Sequence, residues 1–287
     1  MTRPLATLPL FLALIACGPQ GAWQPTISPA PGFEHGIPRD AFSDGCWVEW
    51  DSLLIGIVSG TLLDSEQLAT ASLPSNQAVE LRGSSGITLA QLHIPAATSP
   101  SSLHLRLGPP ATVVSSPYEG PCPMGSCGDD GEGMPDNPVR GNASPEQRAV
   151  LRDADIAGRI SGRLYCGKGT ELAFQWDLDG AEISCAIDQW DLAPADSTTT
   201  WVDFAFHQLF ASSPVEAGED LELHGRPWLK ADLDGNGVLS AEELATVSAE
   251  TIGLPSPSTL DAWIAARSQE LTSLAEGSPC SWTEDEP

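Results

Sequence analysis

The sequence is poor in basic residues, and this shortage excludes one class of partner. Lysine and arginine together number 13, against 39 aspartate and glutamate residues, so the formal net charge is -26 at pH 7. Only two of the basic residues are lysine, Lys168 and Lys230. A surface this acidic repels the phosphates of nucleic acid. We therefore expect no nucleic-acid partner, whereas divalent cations are natural counter-ions.

The chain lacks an apolar run of the length needed to cross a bilayer, about 20 residues, and the apolar run near its start is also too short. The start has Arg3, an apolar run from Leu5 to Ala16 and then Cys17, an order typical of a bacterial export signal. The ending LIAC at positions 14 to 17 resembles the lipobox of lipoproteins. In that interpretation Cys17 is the first mature residue and carries lipid. The alternative is an ordinary signal peptide cut near Ala22.

A lipid on Cys17 predicts both a partner and a location. The partner is the membrane itself, because each buried methylene of an acyl chain contributes about 0.8 kcal/mol. Gly18 follows the cysteine, and without aspartate at that position the sorting resembles that of outer-membrane lipoproteins. We therefore expect a cell-envelope protein of the outer membrane, on its periplasmic or its surface-exposed face. An envelope protein or a glycan stays open as a further partner.

Composition divides the chain into six segments. Residues 1–16 are predicted to be a signal peptide, and 17–40, rich in Pro, Gly and Ser, a flexible tether from lipidated Cys17. Short apolar runs bounded by Gly, Pro or Ser predict a β-sandwich-like region over 41–118. The remaining segments are a Pro/Gly/acidic linker at 119–150, a β region with EF-hand helices at 151–280, and an acidic tail at 281–287.

The predicted fold is mainly β with a C-terminal α-helical EF-hand section. A β-sandwich comes first, followed by a helix-loop-helix and a terminal helix from Thr259 to about Ala275, with Ser258 as its N-cap. Asp179 and Gly180 lie between two strand-like runs, and this dipeptide is typical of hairpin turns. The pattern leaves open whether the two β regions form one sandwich or two.

The twelve-residue loop from Asp232 to Glu243 is the most specific chemical motif in the sequence. It matches the EF-hand calcium loop at each position that binds the ion. The predicted ligands are Asp232, Asp234 and Asn236 at positions 1, 3 and 5, the Val238 carbonyl at 7, Ser240 at 9 and Glu243 at 12. Gly237 at position 6 permits the left-handed turn that folds the loop around the metal.

The same loop also predicts the start of a helix. Ser240 and Glu243 have the spacing of a capping box, and Leu239 at position 8 is expected to point into the core. About seven oxygens with a bidentate glutamate suit Ca²⁺ better than Mg²⁺. Because no second loop is present in the sequence, we expect weak binding and a stabilising role for the ion. The alternative is a plain DxDG turn before an acidic helix.

Seven cysteines fit an exported protein, since disulfides persist outside the cytosol. With Cys17 set aside, the disulfide candidates are Cys46, Cys122, Cys127, Cys166, Cys185 and Cys280. Six cysteines allow three bridges in 15 connectivities. Cys122 and Cys127 lie in one Pro/Gly segment and suit a small local loop. Their spacing does not match a zinc site.

The C-terminal half, roughly Ile156 to Cys280, resembles uncharacterised EF-hand-loop lipoproteins of the myxobacterial type. The resemblance is carried by the ELAFQW run, Cys185, the VDFAFHQLF run at 202–210, the WLKADLDGNGVLSAEEL block at 228–244 and the closing stretch from Leu260 to Cys280. It implies a β-sandwich, then a calcium-type loop, then a helix ending in a cysteine. It also implies that Cys185 pairs with Cys280. It carries no activity that could be transferred.

Other functions have weaker support in the sequence. Five histidines are scattered without HExxH or a Ser-His-Asp order, and no GxSxG is present, so no catalytic residue is predicted; an envelope hydrolase with an unrecognised site stays as the second alternative. The first alternative is a carbohydrate-binding or adhesion module, because the chain has nine tryptophans. Against it, tryptophans within apolar runs are expected in the core. These are Trp47, Trp50, Trp176, Trp201 and Trp228.

Overall fold

A computed structural model describes residues 20–95, 98–111, 142–187, 190, 196–211, 222–254, 258–274 and 280–284. The segment 1–16 predicted as a signal peptide, together with Cys17, Cys122 and Cys127, lies outside the described residues. The described part is mainly β, with 15 strands in two curled sheets and three short α-helices. In this part no helix is long and apolar enough to span a membrane.

In chain order the strands are β1 (Gln20–Pro29), β2 (Gly36–Ile37), β3 (Cys46–Asp64), β4 (Ala69–Ser72), β5 (Gln77–Glu80), β6 (Ile87–Thr88), β7 (Leu92–Pro95), β8 (Pro100–Leu107), β9 (Gly158–Cys166), β10 (Glu171–Leu178), β11 (Ala181–Ala186), β12 (Ser197–Phe204), β13 (Val238–Leu239), β14 (Thr272–Leu274) and β15 (Cys280–Glu284). The α-helices are α1 (Pro145–Ala154), α2 (Ala241–Thr246) and α3 (Leu260–Ser268). Four 3-10 helices lie at Arg39–Ala41, Phe206–Phe210, Arg226–Lys230 and Ala249–Ile252.

The smaller sheet has five strands and is organised around β1 and β12. These two strands run parallel over eight residue pairs, from Ala22 opposite Ser197 to Pro29 opposite Phe204. β14 pairs with the other side of β12, and β6 and β7 pair with the other side of β1. The sheet therefore joins the first described strand to strands near the end of the chain.

The larger sheet is organised around β3, which is 19 residues long. One side of β3 pairs first with β9 and then with β8, and its other side pairs with β2, β5 and β4. Gly56 lies where β9 gives way to β8: its N–H donates to the Ala157 carbonyl at 2.7 Å and its carbonyl accepts from Gly108 N–H at 3.1 Å. A Cβ at Gly56 would lie 2.2 Å from the Gly108 oxygen, so only glycine fits here.

The predicted hairpin at Asp179 and Gly180 is wrong. β10 pairs with β9 and β11 pairs with β8, so the strands that flank this dipeptide do not pair with each other. Since β9 and β8 are both antiparallel to β3, β10 and β11 run in the same direction as β3. The dipeptide carries the chain onward from one strand to the next. A turn signal is local, whereas the partner of each strand is decided by the sheet.

The prediction of a flexible tether at 17–40 is wrong from Gln20 onward. Residues 20–29 form β1, and Trp23 and Ile27 on this strand are fully buried. The Trp23 indole N–H also donates to Thr200 Oγ1 at 3.0 Å. Two prolines, Pro25 and Pro29, give the segment the composition of a linker, but its parallel partner β12 lies far away in sequence.

Three predicted boundaries near the C-terminus and the linker also differ from the structure. The terminal helix ends at Ser268 because the chain then enters β14, and its N-cap is Thr259 rather than Ser258. The predicted acidic tail begins inside β15, which pairs with β11. The predicted linker ends inside α1, whose N-cap Ser144 forms a capping box with Gln147.

The two predicted β regions share one sheet and one core. β3 and β8 from the first region pair directly with β9 and β11 from the second. One hydrophobic cluster joins buried side chains of both sheets, among them Trp23, Trp50, Phe174, Phe204 and Trp228. The pairing answers a question that the sequence pattern leaves open, because the two β regions are interleaved in one body.

Candidate metal centre

The loop from Asp232 to Glu243 lies between two short helices. The 3-10 helix Arg226–Lys230 leads into it, and α2 leaves it. The helix that leaves the loop is short, because α2 ends at Thr246 and a separate 3-10 helix follows. The entering segment is a single 3-10 helix instead of an α-helix.

The predicted capping box at the start of α2 is confirmed. The Glu243 backbone N–H donates to Ser240 Oγ at 3.3 Å, and the Ser240 backbone N–H donates to Glu243 Oε2 at 2.9 Å. The Ser240 hydroxyl also lies 2.8 Å from Glu243 Oε2. These contacts hold the Glu243 carboxylate at the base of the loop, where its side chain is only 8 % exposed.

Three predicted ligands come together in the structure. One carboxylate oxygen each of Asp232, Asp234 and Glu243 lie within 4.8 Å of one another. Ligand oxygens on opposite sides of a Ca²⁺ are about 4.6 to 5.2 Å apart, since each lies 2.3 to 2.6 Å from the ion. The spacing of the cluster is therefore compatible with a shared divalent cation, and the three carboxylates alone do not identify which metal.

The loop backbone holds two of these carboxylates in place. The Asp232 carboxylate accepts N–H bonds from Asn236 at 3.1 Å and Gly237 at 2.9 Å, and the Asn236 side chain donates to Asp234 Oδ2 at 2.8 Å. Gly237 has φ 79°, the left-handed conformation expected at position 6. These hydrogen bonds hold the carboxylates of Asp232 and Asp234 against a tight turn of the loop.

The other predicted ligands stand beside the cluster with partners of their own. Asn236 Oδ1 accepts from the Val238 N–H at 2.7 Å, and Ser240 contacts Glu243 as described. The Val238 side chain is half exposed, as a residue that offers only its carbonyl can be. Leu239 is buried, which confirms the prediction that position 8 points into the core.

Hydrogen bonding keeps Glu243 ionised. The Ser240 backbone N–H is the main cause that holds the pKa of the Glu243 carboxyl below its ordinary value, and the N–H groups of Leu233 and Asp234 act in the same direction. Burial opposes them by a smaller amount. A carboxylate that stays charged is a ready ligand for a cation.

A contact missed at the sequence level joins the loop to the larger sheet. β13, which is positions 7 and 8 of the loop, pairs in parallel with β10 at Ala173 and Phe174. The Ala173 N–H donates to the Gly237 carbonyl at 2.9 Å. EF-hand loops normally make such a β-contact with a second loop, and here the sheet provides it. The apolar pair Val238-Leu239 was the only local signal, and it does not name the partner strand.

Two disulfides lie in the described residues. Cys185 and Cys280 join β11 to β15, which confirms the pairing implied by the resemblance. Cys46 and Cys166 join β3 to β9 and close a sequence separation of 120 residues. The local pairing suggested for Cys122 and Cys127, and the lipidation of Cys17, fall outside the described residues and stay predictions.

The tryptophans divide into core and surface residues. Trp50, Trp176 and Trp228 are buried as predicted, and Trp176 and Trp228 pack against each other at 5.2 Å between ring centroids. Trp201 is 38 % exposed, so its assignment to the core is wrong. Trp47 is half-buried: its ring stacks on Tyr165 and lies 4.3 Å from the Arg39 guanidinium, so neighbouring side chains already use its aromatic surface.

His207 is a partly buried titratable group away from the loop. Its ring stacks on Phe33 at 4.1 Å between centroids, and its Nδ1 is buried without a hydrogen-bond partner in the described part of the chain. Burial lowers the pKa of His207 from 6.5 to about 4. The fold therefore favours the neutral imidazole.

This histidine predicts a loss of stability in mild acid. Because the folded pKa is the lower one, the stabilisation is complete above pH 6.5 and is lost as pH falls from 6.5 towards about 4. The full difference between the ordinary and the folded pKa of His207 corresponds to about 3 kcal/mol in the free energy of unfolding. We expect His207→Phe to remove most of this pH dependence in urea unfolding, and the exposed control His35→Gln to keep it. Equal pH profiles for the two variants would contradict the expectation.

Comparison with known proteins adds little to this picture. No family model matches the chain, and no curated protein matches it. Among solved structures, MbnP from Methylosinus trichosporium is similar with a TM-score of 0.35 and 13 % sequence identity, over 91 % of this chain and 98 % of that chain. The similarity is distant, and the proposals below rest on the residues of this chain.

Proposed function

We propose that the protein is a non-catalytic, calcium-binding lipoprotein of the cell envelope, in which one EF-hand-type loop binds Ca²⁺ mainly to stabilise the domain. The observation that carries this proposal is the convergence of Asp232, Asp234 and Glu243 in a loop that follows the twelve-position pattern. Carboxylate and carbonyl oxygens around a flexible loop favour Ca²⁺ over the smaller Mg²⁺, which demands a strict octahedron.

The stabilising role follows from how the loop is attached. β13 is paired with the sheet and Leu239 and Leu244 are buried beneath the loop, so an ion bound to the carboxylates connects α2 to the sheet. Asp232 and Asp234 repel each other at short range, and a divalent cation offsets that repulsion. A lone loop has no second site with which to bind cooperatively, so a steady occupancy suits it better than a switch.

The lipoprotein part of the proposal is supported by sequence alone. The LIAC ending at positions 14 to 17, with Gly18 after it, favours a lipid on Cys17 and an outer-membrane location. Calcium outside the cytosol reaches the range of about 10⁻⁴ to 10⁻³ M at which extracellular modules bind. We further propose that the two curled sheets pack as a β-sandwich, with the loop and its helices at the C-terminal end of the fold.

Thermal unfolding tests the calcium proposal. With a dissociation constant of about 10⁻⁴ to 10⁻³ M, calcium at about 10 mM stabilises the fold by roughly 1.4 to 2.7 kcal/mol. That amount raises Tm by roughly 3 to 10 °C relative to chelator. We expect Glu243→Gln to abolish the rise, and Mg²⁺ at the same concentration to produce a much smaller one.

The control is Glu242→Gln. It removes the same charge from the neighbouring residue, whose side chain is exposed and lies outside the carboxylate cluster. It should keep the full calcium response. An identical Tm in calcium and in chelator would contradict the proposal. A calcium-dependent rise in Tm that Glu243→Gln retains would also contradict it.

A further inference from the structure

One edge of β10 is only partly paired. On one side β10 pairs with β9 over its whole length, from Glu171 to Leu178. On the other side it pairs with β13 at Ala173 and Phe174 alone. The second half of this edge therefore has no strand beside it in the described part of the chain.

Backbone groups of Gln175 and Asp177 face this open edge. The Ala173 N–H donates to Gly237 on the β13 side, whereas the Leu178 carbonyl accepts from Ala157 on the β9 side. Successive residues of a strand direct their backbone groups to opposite sides, so Gln175 and Asp177 share the direction of Ala173. Asp177 offers one N–H donor and one carbonyl acceptor there, and Gln175 offers its carbonyl, because the register of β10 with β13 places the Gln175 N–H opposite the Leu239 carbonyl.

A groove of about 510 Å³ lies along this edge, and we call it the β10 groove. Gln175 and Asp177 line one side of it, and residues of α2 and α3 line the other. Its floor is apolar, formed by the buried side chains of Trp176, Leu239, Leu244 and Ile264. Its volume falls within the range of about 300 to 1,000 Å³ found for ligand sites.

The rim of the β10 groove carries negative charge without compensation. Asp179 and Asp261 line it, both are exposed, and no basic side chain in the described residues forms an ion pair with either of them. Asp177 differs, because its carboxylate is paired with Arg159 at 2.7 Å. The Asp261 carboxylate accepts only from the neighbouring Ala262 N–H at 2.7 Å.

We propose that the β10 groove binds an extended basic peptide segment of a partner protein, which adds a strand to the open edge of β10. Main-chain bonds to Gln175 and Asp177 would supply affinity, as in other cases of strand addition. Alternate apolar side chains of the segment would lie on the floor, and its lysine or arginine residues would reach Asp179 and Asp261.

Charge favours this occupant over a second copy of the chain. The net charge of -26 repels two copies from one another, whereas a basic segment is attracted to the same surface. The proposal does not depend on calcium binding, although Leu239 and Ser240 of the metal loop form part of the groove wall.

The test measures the binding of an eight-residue peptide of alternating lysine and valine by fluorescence polarisation. The buffer contains calcium and about 150 mM salt, because salt screens nonspecific attraction between charges. We expect saturable binding to the intact domain. The double variant Asp179→Asn/Asp261→Asn should weaken it about fivefold to tenfold, since two exposed charge pairs are lost. The control Asp40→Asn/Glu66→Gln removes the same charge elsewhere and should leave the affinity unchanged.

Changes in the peptide test the backbone contacts without a risk to folding. A lysine–valine peptide with N-methyl groups along one edge keeps its charge and loses its donors, so it should not bind. Retained binding by that peptide, equal weakening in both double variants, or no binding at millimolar peptide overturns the proposal. Sedimentation velocity could also show that the intact domain is a dimer. If Asp179→Asn/Asp261→Asn alters that dimer and the control double variant does not, the proposal is overturned in favour of a second copy of the chain.

Discussion

A soluble chain that begins at Ala30 is expected not to fold, whereas one that begins at Gly18 should unfold cooperatively on heating. The truncation removes β1, with the fully buried Trp23 and Ile27 and the whole parallel ladder to β12. Each of these two buried side chains contributes about 1.5 to 3 kcal/mol to the stability of the fold. Loss of the ladder also leaves β12 with an open edge. A loss of this size consumes most of the 5 to 15 kcal/mol that stabilises a typical domain.

Circular dichroism with a thermal ramp measures this effect. The point variant Trp23→Ala/Ile27→Ala in the longer chain serves as the control, because it removes the buried side chains and keeps the backbone ladder. It should fold with a lowered Tm. A cooperative melt of the shorter chain, with a Tm near that of the longer one, would show that residues 20–29 are a tether after all.

Removal of the Cys46–Cys166 disulfide is expected to lower the free energy of unfolding by about 4 kcal/mol. The bond closes a separation of 120 residues, and a cross-link over a loop of that length restricts the unfolded chain strongly. Both sulfurs are buried between β3 and β9, so cysteine-to-alanine replacement also leaves a small cavity.

Guanidinium unfolding of Cys46→Ala/Cys166→Ala measures the cost, with the midpoint expected to fall and the m-value to stay within error or rise. A Cys185→Ala/Cys280→Ala variant measured in parallel should show a cost of similar size, because that disulfide closes a separation of 95 residues. A cost below about 1 kcal/mol for the first variant is incompatible with a long-range cross-link that restricts the unfolded state.

The acidic cluster and the capping box between Asp232 and Glu243 could be predicted because their geometry is local. Asp232, Asp234 and Glu243 lie within one turn of chain, and the capping box of Ser240 and Glu243 requires only a three-residue spacing. Each group finds its partner without help from a distant element. Burial of Leu239 followed from the same register.

The strand pairings could not be predicted, because they depend on residues far apart in sequence. The segment with Pro25 and Pro29 has a linker composition, yet its burial is decided by β12. Asp179 and Gly180 resemble a hairpin turn, but β10 already has β9 as its neighbour. The open half of the β10 edge likewise has no signal in the sequence.

The helical content was overestimated for a related reason. Leu271 and Leu274 fit the apolar spacing of a longer terminal helix, but the chain instead adds β14 to the edge of β12. Trp282 then reaches back and its indole N–H donates to Thr272 Oγ1. The edge of β12 competes with the helix for this part of the chain, and the helix is therefore shorter. The local sequence gives no sign of that edge.

The position of β1 also limits the distance between the protein body and a lipid. With Cys17 acylated, only the bonds from Cys17 to Gln20 separate the lipid from the first strand, a reach of roughly 10 Å, whereas the predicted tether to residue 40 would have reached roughly 75 Å. A body held at that height has a restricted range of tilts, and the end of the fold that carries Gln20 and Pro95, which are paired across β1 and β7, would face the bilayer. Lipidation would then set the orientation of the domain as well as its location.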